Sequence, residues 1–194
     1  FATTPSQTIA SGSAVTFKNM TVASGVTVTN NGSVNVTGML DVAGVWVQGT
    51  SSSLSIGGTY SIASLTASAI GNTVRYTSTS PQAVIGVTYH HLLLSGGSVK
   101  TLPANLTTLN GNLTISNDTS TTLAADLTID GDVSINSRAT LDVSTSNFAI
   151  NLRGNWTCST SNGALVARSG LVTLQGTVSQ RLEGGECVFN NLTL

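Results

Sequence analysis

Apolar residues in this chain fall at every second position over short stretches, and each stretch is broken by a glycine or an Asn-Gly pair. In GVTVTNNGSVNVTGMLDVAGVWVQG, residues Val26, Val28, Val34, Val36, Leu40 and Val42 keep this period of two. Such alternation puts one face of an extended strand in a core and the other in water. The runs between corners are only three to five residues long, which suits the sides of a solenoid better than the longer strands of a sandwich.

Later blocks repeat the design: LTTLNGNLTI (106–115), LTIDGDVSI (127–135), FAINLRGNWTC (148–158) and LVTLQGTVSQ from Leu171. Aligned on Gly111, Gly131, Gly154 and Gly176, they return every 20, 23 and 22 residues, the length of one β-solenoid coil. Gly38, Gly58 and Ser78, each 20 residues from the next, carry the same register towards the N-terminus. The pattern predicts an all-β chain folded as a right-handed parallel β-helix of about nine coils, each of about 20–23 residues and stacked at ~4.8 Å. A β-sandwich is the alternative, since tandem hairpins alternate in the same way; they do not require a glycine motif to recur at one coil length. Residues 1–194 read as a single β-solenoid domain, a segment of a longer repeat array.

The shared offset from the turn glycines predicts inward columns. Leu113, Val133, Trp156 and Val178 form one, and Ile115, Ile135 and Cys158 the next. Cys158 therefore points inward, and a disulfide to Cys187, 29 residues on, is favoured over two free thiols.

Composition sharpens this picture. Only 8% of residues are charged against 40% hydrophobic, so solubility rests on Ser, Thr, Asn and Gly, a secreted and β-rich profile with almost no helix expected. A net charge of −1 gives no electrostatic footprint for nucleic acid or anionic lipid. No apolar run approaches the roughly 20 residues that span a bilayer, and the opening FATTPSQ has neither a basic nor a hydrophobic region. The two cysteines lack CxxC spacing and a nearby histidine pair, which argues against zinc. The sequons at Asn112, Asn117 and Asn191 read as strand starts rather than glycosylation sites.

A longer repeat overlies the coils. Phe17-Lys18-Asn19-Met20-Thr21-Val22, Tyr89-His90-His91-Leu92-Leu93-Leu94 and Phe189-Asn190-Asn191-Leu192-Thr193-Leu194 share an aromatic residue, two polar residues and an apolar-x-apolar strand. Gln7, Gln82 and Gln180 precede them by 10, 7 and 9 residues, with Gly12, Gly86 and Gly184 between. The string VTLQGTVSQRLEGG…FNNLTL resembles the β-solenoid repeats of large secreted surface proteins and adhesins of the Bacteroidota type. That resemblance implies a structural or adhesive stalk, secreted or at the cell surface, and identifies no functional residues. Its implied partners are neighbouring repeats or subunits stacked end to end, with a glycan or surface protein as ligand in a binding-module reading.

Candidate chemistry is sparse. Asp126, Asp130 and Asp132 invite a calcium site or an acid pair. In the glycine register, however, Asp130 falls between Asn110 and Arg153, and Asp132 between Asn112 and Asn155, which reads as polar ladders at a solvent-facing corner. A polysaccharide-degrading β-helix enzyme needs several carboxylates with basic residues on one face. Before residue 118 the only acid here is Asp41, and the seven basic residues are scattered. His90 and His91, adjacent on a strand, are expected on opposite faces. Thr27 and Thr29 suggest an ice-binding pair, but the threonines elsewhere form no column. Trp46 and Trp156 are candidates for stacking on sugars, Trp156 being expected in the core instead. No catalytic, cofactor or metal residue is assigned, and a non-enzymatic role is expected. Finally, Leu194 ends a motif that elsewhere runs on into another coil, so end-to-end contacts are expected at both terminal coils.

Overall fold

A computed structural model describes residues 5–194; residues 1–4, the first part of the FATTPSQ stretch, lie outside the described residues. The described chain contains strands and no helix, and every strand pairing is parallel. That excludes the sandwich, whose hairpins are antiparallel. The chain winds as a three-sided coil. Side I is one unbroken nine-stranded sheet running from Ala14–Phe17 to Leu182–Glu183, one strand per coil, so the molecule is a parallel β-helix of nine coils. Side II carries Met20–Val22 and later the sheet from Gln82–Ala83 to Ala164–Val166, while side III carries Ser6–Ile9, Thr27–Asn30 and later the sheet from Thr108–Leu109 to Asn191–Thr193.

Strands are short because each corner interrupts them, while the in-out alternation keeps its phase around the coil, so that from Val28 to Ile56 every buried residue is even-numbered. On side I, Leu113 pairs with Val133 and Val133 with Trp156, and all three are fully buried. Ile115, Ile135 and Cys158 stack as the neighbouring column. Each buried aliphatic side chain contributes roughly 1.5–3 kcal/mol of transfer free energy, and stacking like on like keeps the interior filled coil after coil. Among the described residues, both tryptophans are buried in this interior. Trp46 donates from Nε1 to Gln48 Oε1 at 2.8 Å, and Trp156 packs edge-on against Phe189 with ring centroids 5.1 Å apart. The core is not wholly apolar: Asn30 Nδ2 donates to Gln48 Oε1 at 2.9 Å and to the Ser53 carbonyl at 2.8 Å.

Three features depart from the sequence register. First, Val178 is not in the core column; it is 76% exposed, and Leu182 pairs with Trp156 in its place. Gly176 itself keeps the register, since Gln175 N donates to Leu152 O as Arg153 N does to Ile129 O, but residues 177–181 then bulge outward before side I resumes at Leu182. Second, the glycines form two columns rather than one. Gly38 and Gly58 turn the chain from side I to side II, whereas Gly111, Gly131 and Gly154 turn it from side III to side I. At Gly131 a Cβ would collide with Asn112 Oδ1 and the Gly111 carbonyl, so close coil stacking at that corner requires glycine.

Third, the long module does not return to the same corner. Phe17 precedes the I-to-II corner, Tyr89 the III-to-I corner and Phe189 the II-to-III corner. The glutamine-to-aromatic unit is a local device that the solenoid places on a different side each time. The middle copy also interrupts the stack: Tyr60–Thr66 pairs with the coil before it but not with Gln82–Ala83, and on side III only the isolated bridges from Ala67 through Tyr89 to Leu109 cross this level. A tyrosine cluster fills the gap. Tyr76 and Tyr89 share a hydroxyl hydrogen bond of 2.8 Å, Ile85 N donates to Tyr76 Oη, Tyr89 Oη donates to Ile85 O, and Tyr60 Oη donates to Ala83 O. Burial raises both the Tyr76 and Tyr89 phenols far above their ordinary range.

Cys158 and Cys187 are bonded, with Cα atoms 5.9 Å apart and both residues buried. The two lie in successive coils. A reverse turn, in which Cys187 N donates to Gly184 O, brings Cys187 inward over Cys158.

Candidate functional site

The carboxylates do not converge. Asp130 accepts from Arg153 Nη1 at 2.7 Å, and Asp118 pairs with Arg138. Asp142 takes a two-pronged contact from Arg168, Nε to Oδ1 and Nη2 to Oδ2, both 2.7 Å. Those bonds from Arg168, helped by Ser144 N, hold the Asp142 carboxyl below its usual range. Asp126 accepts from Ala149 N, and Glu186 from Asn162 N. Each of these contacts joins one coil to the next. Glu183 pairs with Arg181, which directly precedes its own strand. Among the described residues no group of three or more His, Cys, Asp or Glu side chains is arranged to hold a metal ion.

The III-to-I corner carries the longest polar ladder. Asn112 N donates to His91 Nδ1 at 2.9 Å, Asp132 N to Asn112 Oδ1 at 2.9 Å, Asn155 N to Asp132 Oδ1 at 2.6 Å and Arg181 N to Asn155 Oδ1 at 2.8 Å. Asp132 thus stands between Asn112 and Asn155 and Asp130 beside Arg153, as the register predicts. The ladder satisfies the backbone N–H that each corner would otherwise leave unpaired.

His90 and His91 differ from expectation. His90 sits on the bend that leads into the strand His91–Leu94, which His91 opens, and the two rings pack edge to face with centroids 4.2 Å apart. Burial, then the neighbouring His90, lowers the His91 pKa, so this ring is neutral near pH 7. With Nδ1 an acceptor, its proton resides on Nε2. Beside it a depression of about 230 Å³ opens on the outer face of side I, lined by Thr73, Arg75, His91, Leu93, Asn112 and Thr114 together with Leu92. Nothing in the sequence spacing singles these out, since they come from three successive coils.

A larger groove of about 630 Å³ lies at the interruption of side II, lined by residues 57–60 and 78–83. Behind its wall Lys100 is fully buried, its Nζ donating to Ser78 O at 2.6 Å and Gly97 O at 3.0 Å, and burial lowers its pKa. The ammonium is consumed by backbone carbonyls and faces no carboxylate, so it serves to hold the 78–81 loop. Thr29 stacks on Thr8 but next to Val47, and Thr27 lies between Ser6 and Val45, so no continuous threonine column forms there.

No family model, curated protein or solved structure matches this chain.

Proposed function

We propose that this chain is a structural stalk module of a secreted or cell-surface protein, a rod that spaces or presents other domains and performs no catalysis. The observation that carries this reading is the use of the acidic side chains. Asp118, Asp126, Asp130, Asp132, Asp142 and Glu186 each bind an arginine or a backbone N–H of the adjacent coil, so the polar chemistry is spent on coil-to-coil cohesion. An unbroken nine-stranded ladder along side I and a disulfide across the last coils suit a rod under load, and the disulfide suits an oxidising extracellular setting.

Single-molecule pulling tests the reading. A mechanical module should unfold at high force in steps of one or a few coil lengths, and should leave polysaccharides uncleaved. Low-force unfolding in one step, or turnover of a polysaccharide, would count against it.

A further inference from the structure

We propose that the depression on side I binds the carboxylate of an acidic sugar, a uronic-acid unit of a polysaccharide. Six outward side chains form a two-by-three grid there. Thr73, His91 and Asn112 make one column and Arg75, Leu93 and Thr114 the other, in register across three coils. Strand spacing sets about 4.8 Å between members of a column, and residues two apart on a strand are about 7 Å apart, so the grid is about the size of one pyranose ring.

The grid offers donors rather than acceptors, and the corner ladder makes it so. His91 uses Nδ1 to accept from Asn112 N, which leaves Nε2–H as its free polar group. Asn112 uses Oδ1 to accept from Asp132 N, which leaves its amide NH₂ without a partner among the described residues. Arg75 is half-buried, and the four ion pairs among the described residues use Arg138, Arg153, Arg168 and Arg181 instead. A guanidinium with no counter-ion, diagonal to His91 on the grid and at the corner opposite Asn112, matches a carboxylate, with the remaining donor left for the rest of the sugar. Leu93, between Arg75 and Thr114, supplies an apolar surface for the C–H face of a sugar ring, and the two threonines reach its hydroxyls.

An acidic peptide is the less favoured ligand. Thr73–Tyr76, His91–Leu94 and Leu113–Ile115 are interior strands paired on both edges, so no free edge exists on which an extended peptide could add as a strand. Side chains alone do the recognising, over a flat and shallow surface.

The test is an amide-shift titration of the whole chain by NMR with sodium glucuronate, and in parallel with glucose, acetate and a glutamate-containing peptide. Glucuronate should give saturable shifts at Thr73, Arg75, Leu93, Asn112 and Thr114 that weaken with added salt, while glucose gives none. Arg75→Gln should weaken the affinity by about tenfold or more. His91→Asp should do likewise and still fold, because an aspartate accepts the next coil's N–H at this corner as Asp132 does for Asn155. Absence of saturable shifts at these residues, equal response to glucose, or an Arg75→Gln chain that binds as well as the parent would overturn the site. Acetate or the peptide binding as tightly as glucuronate would overturn its assignment to a sugar.

Discussion

Gln82 and Gln180 make the same three hydrogen bonds in two separate coils. Gln82 Oε1 accepts from Ser78 N at 3.0 Å while its Nε2 donates to Ile56 O at 3.0 Å and Gly58 O at 2.9 Å. Gln180 Oε1 accepts from Gly176 N at 2.7 Å while its Nε2 donates to Leu152 O at 3.1 Å and Gly154 O at 2.6 Å. In both, a four-residue bulge is closed by a side-chain amide that pairs the carbonyl the bulge leaves open, Gly58 O or Gly154 O, and adds a second bond to Ile56 O or Leu152 O, which also accept from Thr77 N and Gln175 N. Ser78 and Gly176 are therefore equivalent positions. Gln82 is 7% exposed and Gln180 more so, which orders the expected costs. Gln82→Ala should destabilise by about 2–3 kcal/mol and Gln180→Ala by about 1 kcal/mol in chemical denaturation, the difference being the access of water to the abandoned carbonyls. Equal, negligible effects would show that the bulges hold without them.

The placement of Val178 outside the core allows a paired test of register. Val133→Asp should cost several kcal/mol, because it buries a charge with no partner in a fully enclosed column. Val178→Asp, on an exposed bulge, should fall within about 0.5 kcal/mol of the parent. Melting curves decide the matter; a large loss at Val178 would restore the simple glycine register.

Reduction of Cys158–Cys187 should loosen the last coils. Closing a loop of sequence separation 29 stabilises by about 3–4 kcal/mol in the chain-entropy view. Hydrogen exchange in the chain carrying Cys187→Ser and Cys158→Ala should speed up beyond residue 176 and remain slow around Val133. Unreduced, denatured chain should show no alkylatable thiol by mass spectrometry.

Asp142 and Arg168 give the fold a defined acid sensitivity. The folded carboxyl titrates below its unfolded value, first because Arg168 bonds it, so its contribution is present above the unfolded value near 4 and is lost as pH falls through the folded one. Partial exposure of the pair limits the effect to about 1 kcal/mol. Asp142→Asn should therefore be less stable than the parent at pH 7 and indistinguishable from it at pH 2 by denaturant titration. A gap that persisted at pH 2 would point to packing rather than charge.

The strands, the parallel stacking, the coil length and most inward columns were legible in the order of residues alone, because alternation and corner glycines are local properties that act alike in every coil. Leu113, Val133 and Trp156 stack as their offset predicts, and so do the Asp130 and Asp132 ladders. Which side of the coil each repeat occupies emerges only in the folded chain. Bulge length sets that, and whether a bulge is absorbed depends on a side chain such as Gln180 reaching carbonyls of the previous coil. The same reason hid the edge-to-face packing of His90 on His91, which a bend produces, and the grid of Arg75, His91 and Asn112. Residues separated by whole coils become neighbours through stacking register alone, and a register is a sum over every intervening turn.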